Sequence, residues 1–330
     1  MQREALKPLT GRTVFTVSSP PHWHCGATIP GMMLDILLAL CPAVVMAAAV
    51  FGMDAVRVMA LSCATAVVVE AACCKAMKRP VSVDDYSALV TGLLFAFLLP
   101  AEAPWWLVMA GSAISIALGK MVFGGLGGHP FCPPLVGWAV CRISWKSSMD
   151  IDMSLLNADL FYPLTQLKHL GLEAISRFSY ADLLLGKQLG GLGAAQTGAL
   201  LLGGIYLLLR RRIRPDIPLA FLAGTFLLSL AYALSDPSFY APPLFHLMTG
   251  SVVLGAFFLA TDCSSSPMGH VPMILFGLLG GALTVIIRVY GDYPDGVPFA
   301  IMLANLATPL LDRIRPRPFG GAGRGGRAHA

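Results

Sequence analysis

The chain has 330 residues, 56% of them hydrophobic and only 12% charged, with a mean hydropathy of +0.71. Its net charge of +5 sets 23 Lys and Arg against 18 Asp and Glu, which is too thin a basic excess for a nucleic-acid surface. A hydrocarbon core of ~30 Å takes about 20 apolar helical residues, and helices satisfy their own backbone there. The composition therefore excludes an ordinary soluble enzyme and predicts an all-α integral membrane protein.

Residues 1–31 are mixed and polar, with Pro20, Pro21 and Pro30 and no cleavable apolar stretch, and read as a cytoplasmic N-terminal arm. Ten apolar stretches follow, at 32–52, 55–77, 86–100, 104–122, 131–144, 191–210, 217–235, 242–261, 270–289 and 296–312. The first five make one membrane half, 32–144, and the last five a second, 191–313. A long outer loop, 145–190, separates them. The remainder, 314–330, is Gly-, Arg- and Ala-rich and is expected to be a disordered cytoplasmic tail. An even number of spans puts both termini on one side. Sixteen of the 23 Lys and Arg fall on that side and seven on the other, so the positive-inside rule makes it cytoplasmic.

The halves echo one another. Leu89-Val90-Thr91-Gly92 returns as Leu247-Met248-Thr249-Gly250. Lys120 precedes Phe123-Gly124 and Pro130-Phe131, as Arg288 precedes Tyr290-Gly291 and Pro298-Phe299. Five spans is an odd number, so the second half runs inverted. The expected architecture is thus two inverted five-helix repeats, with a functional site near their interface at broken segments. The Gly/Pro-rich stretches Gly124–Pro130 and Gly291–Gly296 are the candidates.

Charges inside hydrocarbon are costly and are functional candidates by default. Asp35 and Glu70 lie within early spans, and Lys120, His246, Asp262, Arg288 and Asp295 lie near span ends. Glu70, Asp262 and Asp295 are candidates for an ion route, against bonds to neighbouring helices and helix caps. Lys120 and Arg288 are repeat equivalents that can each extend to a membrane interface. The eight cysteines show no CxxC spacing and read as small buried hydrophobes; no metal site is expected.

Several motifs together carry a resemblance. They are His129-Pro130-Phe131-Cys132-Pro133 after a Gly-rich loop, Ala103-Pro104-Trp105-Trp106, and Gly291-Asp292-Tyr293-Pro294-Asp295-Gly296-Val297 with Ala304-Asn305. His246-Leu247 through Thr261-Asp262 fits as well. Over residues 14–320 the chain resembles the D subunits of Rnf complexes, the ion-translocating ferredoxin:NAD oxidoreductases. The homologous B subunits of sodium-pumping NADH:quinone oxidoreductases are similar too. The resemblance implies ten helices in two inverted halves in the bacterial inner membrane. It implies work beside the A, B, C, E and G subunits, coupling electron flow to sodium or proton movement, without activity of the chain alone.

It also implies FMN bound covalently through its phosphate to a threonine. A flavin transferase attaches it at a motif Asp-x-x-Ser/Thr-x-Ala-Thr on the outer side. Here that stretch runs Asp159-Leu160-Phe161-Tyr162-Pro163-Leu164-Thr165, which makes Thr165 the tether and Asp159 the motif acid, while Tyr162 and Leu164 depart from the pattern. The chemistry needs a reachable hydroxyl, which an exposed loop offers and a packed helix does not. Thr197 at the mouth of the sixth span is a second candidate for flavin contact, and Lys120 and Arg288 are candidates for a flavin phosphate or ring edge. A second, noncovalent flavin is compatible with the resemblance. There is no GxGxxG after a strand, no Walker sequence and no HExxH, so NAD and ferredoxin are expected on other subunits. The rival reading is an inverted-repeat channel or secondary transporter without a redox cofactor.

Overall fold

The computed structural model describes residues 28–79, 83–149, 162–237 and 239–314. Asp159, the arm before residue 28 and the tail after residue 314 lie outside them. Among the described residues every regular element is a helix.

Helix α1, Ile29–Ala76, has 48 residues. At 1.5 Å per residue a straight helix of that length would reach roughly 72 Å, more than twice the hydrocarbon thickness. It does not run straight: Gly52 adopts φ 68° and ψ −147°, a conformation open almost only to glycine. The break falls between the two apolar stretches expected as separate spans. The first turn is capped by the Thr28 hydroxyl, which accepts from the Gly31 N–H at 3.3 Å, and Pro30 pre-sets its φ.

Next come α2 (Ser87–Phe97), α3 (Trp105–Ile116, passing into a π turn at Ala117–Met121) and α4 (Pro133–Ser144). The stretch between α4 and α7 folds two short helices, α5 (Pro163–Leu170) and α6 (Tyr180–Leu184). Then follow α7 (Thr197–Leu209), α8 (Asp216–Ser235), α9 (Pro243–Met248), α10 (Val252–Leu254, passing into a π turn at Gly255–Leu259), α11 (His270–Tyr290) and α12 (Val297–Leu311). Helix occupies part of all ten apolar stretches. By length and composition α1, α8 and α11 are long and apolar enough to cross a membrane. Large apolar side chains such as Leu209, Leu227, Leu234 and Leu310 stand on the surface, as on helices that face lipid.

Two expectations need correction. The stretch 191–210 is not helical from its start, because α7 begins only at Thr197. The preceding glycine-rich turn folds against the end of α2, where Leu192 N–H donates to Leu99 O at 2.8 Å and Gly193 N–H to Phe97 O at 3.2 Å. The Phe97 carbonyl belongs to the orphan set that every helix C-terminus leaves, and Leu99 lies just past the helix. A Cβ on Gly191 would come within 2.6 Å of Phe97 O, and one on Gly193 would collide with the Phe97 ring. The second correction is that the described part of 145–190 is not plain loop, since it carries α5 and α6.

The chain also breaks between α9 and α10, at Thr249-Gly250-Ser251. Gly250 has φ +67°, and a Cβ there would meet Arg288 Nη2 at 2.7 Å and Leu164 Cδ1 at 2.9 Å. Gly250→Ala is expected to cost about 2–3 kcal/mol from backbone strain plus overpacking. Gly127 (φ +93°) has nothing within 4 Å of the place its Cβ would take, so Gly127→Ala isolates strain alone. Unfolding midpoints in detergent should fall further for Gly250→Ala than for Gly127→Ala.

Candidate functional site

A cavity of ≈ 320 Å³ is shared by the two halves. Its walls are mostly apolar, with Val90 and Leu94 of α2 facing Leu207 of α7 and Phe257 and Phe258. Both π turns open onto it: Ala117–Met121 presents Lys120, and Gly255–Leu259 presents the two phenylalanines. A π turn widens a helix locally and re-aims side chains, which is why such turns concentrate at sites.

The polar rim of this cavity is internally paired. Lys120 Nζ donates to both Glu70 carboxylate oxygens, each at 2.8 Å, and also to Ser87 Oγ. The Lys120 and Glu70 side chains are 2% and 0% exposed. Lys120 therefore does not extend to an interface. Its charge lies inside, against α1, because Glu70 sits opposite it. Ser87 Oγ in turn donates to Asp85.

A connection between the halves is made by His129 Nε2, which lies 3.0 Å from Asp262 Oδ2. Ser264 Oγ donates to His129 O at 2.8 Å, and Asp262 also accepts from Ser265 Oγ at 2.8 Å. Asp35 makes a second, accepting from Tyr206 Oη at 3.0 Å and Arg210 Nη2 at 3.3 Å, and from Arg212 Nε.

A separate cluster surrounds Arg288. Its Nη1 donates to His246 O at 2.7 Å, and its Nη2 to Thr249 O at 2.8 Å and Asp295 Oδ1 at 3.2 Å. Asp295 Oδ2 accepts from Ser251 N–H at 2.9 Å and from Ser251 Oγ. Arg288, like Lys120, is buried rather than extended to an interface. Thr197 is 2% exposed, its hydroxyl donating to Met248 O at 3.1 Å while Gln188 Nε2 donates to it at 3.4 Å.

Beside this cluster, Tyr293 lies under Arg142 at 5.5 Å and Lys146 at 5.9 Å, geometry suited to cation–π attraction. Lys146 Nζ meets Asp292 Oδ2 at 2.9 Å. That bond holds the Asp292 carboxyl below its ordinary range and raises the Lys146 ammonium. Both groups are open to solvent, so the pair is screened and weak.

The candidate flavin tether lies at residue 165, in the third position of α5. Its flanks Tyr162 and Leu164 are buried in an apolar cluster with Leu183, Leu189, Ala241 and Phe245. The Thr165 hydroxyl is shielded from solvent and has no hydrogen-bond partner. A phosphoester needs open space at that oxygen, so the folded arrangement does not fit covalent FMN on Thr165. The structure thus brings together Glu70 with Lys120, and Arg288 with Asp295. It leaves Thr165 and Thr197 closed. In the sequence His129 stands out only as part of a turn, although a histidine ahead of Pro-Phe beside a span is an available signal. Ser87 carries none.

The sequence pattern of the NQR2, RnfD, RnfE family matches residues 16–320 of this chain. The D subunit of the proton-translocating ferredoxin:NAD(+) oxidoreductase complex of Clostridium ljungdahlii is 36% identical over 94% of this chain and 97% of its own length. The Na(+)-translocating counterpart from Acetobacterium woodii is 38% identical over 91% and 93%. The D subunit of the ion-translocating oxidoreductase complex of Salmonella typhimurium is 33% identical over 93% and 99%. Length, helical stretches and the buried charges all fall inside the matched region, and the chain belongs to the NQR2, RnfD, RnfE family.

Proposed function

We propose that this chain is the D subunit of an Rnf-type complex, a membrane component of an assembly that passes electrons between ferredoxin and NAD and moves sodium ions or protons. The observation that carries the reading is the near end-to-end match to relatives bearing that description, one named for protons and another for sodium. In this reading the ten apolar stretches cross the inner membrane as two inverted halves, with both termini cytoplasmic. The A, B, C, E and G subunits are the partners, and the activity belongs to the assembly.

The chain's own residues support such a role. The His129–Asp262 contact and the Asp35 bonds to Tyr206, Arg210 and Arg212 tie the two halves together, while the Glu70–Lys120 pair holds charge inside hydrocarbon. The cavity between the halves has the size of a small-molecule site. A flavin, where the complex uses one, supplies the passage between one- and two-electron steps. Glu70 and Asp262 border or support the cavity wall and are the residues through which an ion route would meet it, whereas Asp295 belongs to the Arg288 cluster.

The reading is tested in inverted membrane vesicles of the host. Deleting this chain should abolish NAD reduction by reduced ferredoxin and the accompanying ion uptake, and re-expression should restore both. Coupled uptake that survives the deletion rejects it. Solute flux through the purified chain alone in liposomes would favour the transporter reading instead.

A further inference from the structure

We infer that Thr165 carries no flavin in the folded protein, and that the segment Tyr162–Leu170 instead closes this end of the bundle. Three attachments hold it down. Tyr162 and Leu164, 5% and 2% exposed, are embedded in the apolar cluster with Leu183 and Phe245. Leu164 also seats on the break between α9 and α10, where its Cδ1 stands 2.9 Å from the position of a Cβ on Gly250. Lys168 Nζ donates to Gly291 O at the turn after α11. The segment is thereby tied to both sides of the Arg288 cluster.

The consequences for modification are chemical. To take FMN, the threonine oxygen must form a bond to a phosphorus of a nucleotide-linked flavin. Its proton must leave to a base, and the nucleotide must depart as the pyrophosphate bond breaks. That oxygen needs an open face at an attack distance of about 3–3.5 Å. Thr165 offers none, because its oxygen is enclosed and the neighbouring Gln166 Oε1 is enclosed with it. The void beside the neighbouring Tyr162, bordered also by Trp138, Tyr293 and Asp295, does not include Thr165 in its lining and is only ≈ 40 Å³. This is room for a few waters, whereas ligand sites run to about 300 Å³ or more.

The residues a transferase would read are unsuitable as well. The motif departs at Tyr162 and Leu164, and those two side chains are the ones that anchor the helix. Thr197 is no substitute, with its hydroxyl buried and bonded to Met248 O. The inference rests on the Rnf-type reading only for the presence of a flavin transferase in the host.

The test uses the complex purified from its native host with that transferase present. Peptide mass spectrometry across residues 147–187 is expected to find Thr165 unmodified, and the denatured chain is expected to be dark under flavin illumination. An FMN mass on Thr165 overturns the inference. A second measurement is independent of the transferase. Thr165→Cys and, as exposed control, Ser179→Cys are treated with a membrane-impermeant maleimide from the outer side, and labelling is read by peptide mass at each introduced thiol. The Thr165→Cys protein should label about tenfold more slowly when folded and equally after denaturation. Equal labelling in the folded state overturns the closed segment. Thr165→Val, which removes an orphaned hydroxyl, should leave flavin content and unfolding midpoint no lower than wild type. Loss of coupled ion uptake by the complex would bear on the Rnf-type reading alone, since Thr165 is read by mass and labelling.

Discussion

Lys120→Met is expected to destabilise the chain by about 3–5 kcal/mol, the cost of removing one member of a buried ion pair. The size follows from what remains. Glu70 is fully buried on α1, flanked by valines and alanines. A methionine opposite it would leave its carboxylate without the ammonium that two 2.8 Å bonds now hold against it. Ser87 Oγ would lose the same donor. Methionine preserves the volume, so the loss reports the charge and not a cavity. The paired change Lys120→Met with Glu70→Gln should recover most of the stability, because neither site then carries an uncompensated charge. Unfolding in detergent of the two singles and the double closes the cycle, and a single-variant loss below about 1 kcal/mol would sink the argument. The recovered double variant then separates fold from function. Lys120 and Ser87 line the shared cavity, so a folded double variant that loses ion uptake places the pair in the coupling path.

Much of this architecture is visible in sequence because hydrocarbon imposes length. The ten apolar stretches hold helix in every case, and Gly52 divides α1 where the first two stretches part. Glu70, Lys120, Arg288 and Asp295 can be singled out one by one, since any charge in such a chain stands out. Their pairing is less accessible. Glu70 and Lys120 are 50 positions apart, and nothing local records that α1 and the π turn after α3 set them face to face. The Arg288 partners are partly local, Asp295 lying seven residues on, but the two carbonyls come from the end of α9, 42 and 39 residues earlier. Thr165 shows the opposite failure. Its spacing from Asp159 reads as a motif, while the closure of its hydroxyl depends on Tyr162 and Leu164 packing against α6 and α9. At Gly191–Gln196 the reason lies in the backbone: apolar composition continues the seventh helix backwards, but the Phe97 and Leu99 carbonyls claim the N–H groups of Leu192, Gly193 and Ala194 first.

Arg288→Met should be comparably severe, about 3–5 kcal/mol, and its character should differ from that of Lys120. Lys120 offers a point charge to one carboxylate and a hydroxyl, whereas Arg288 uses a planar fork. One arm reaches His246 O at 2.7 Å and the other is divided between Thr249 O at 2.8 Å and Asp295 at 3.2 Å. Those carbonyls lie at the end of α9, where the helix breaks and no intrahelical donor remains. Losing the guanidinium would orphan two buried acceptors, at about 1–3 kcal/mol each before relaxation, and would leave Asp295 with Ser251 and the nearby backbone. Lysine keeps the charge but not the fork, so Arg288→Lys should fall between wild type and methionine. Asp295→Asn should be milder again, because the amide oxygen still accepts from the Ser251 N–H. The ordering of unfolding midpoints, wild type above Asp295→Asn, above Arg288→Lys, above Arg288→Met, is the measurement. If Arg288→Lys matched wild type, charge alone would hold the break between α9 and α10. If it matched methionine, the break would depend on two carbonyls being served at once, a task only the guanidinium's geometry can perform.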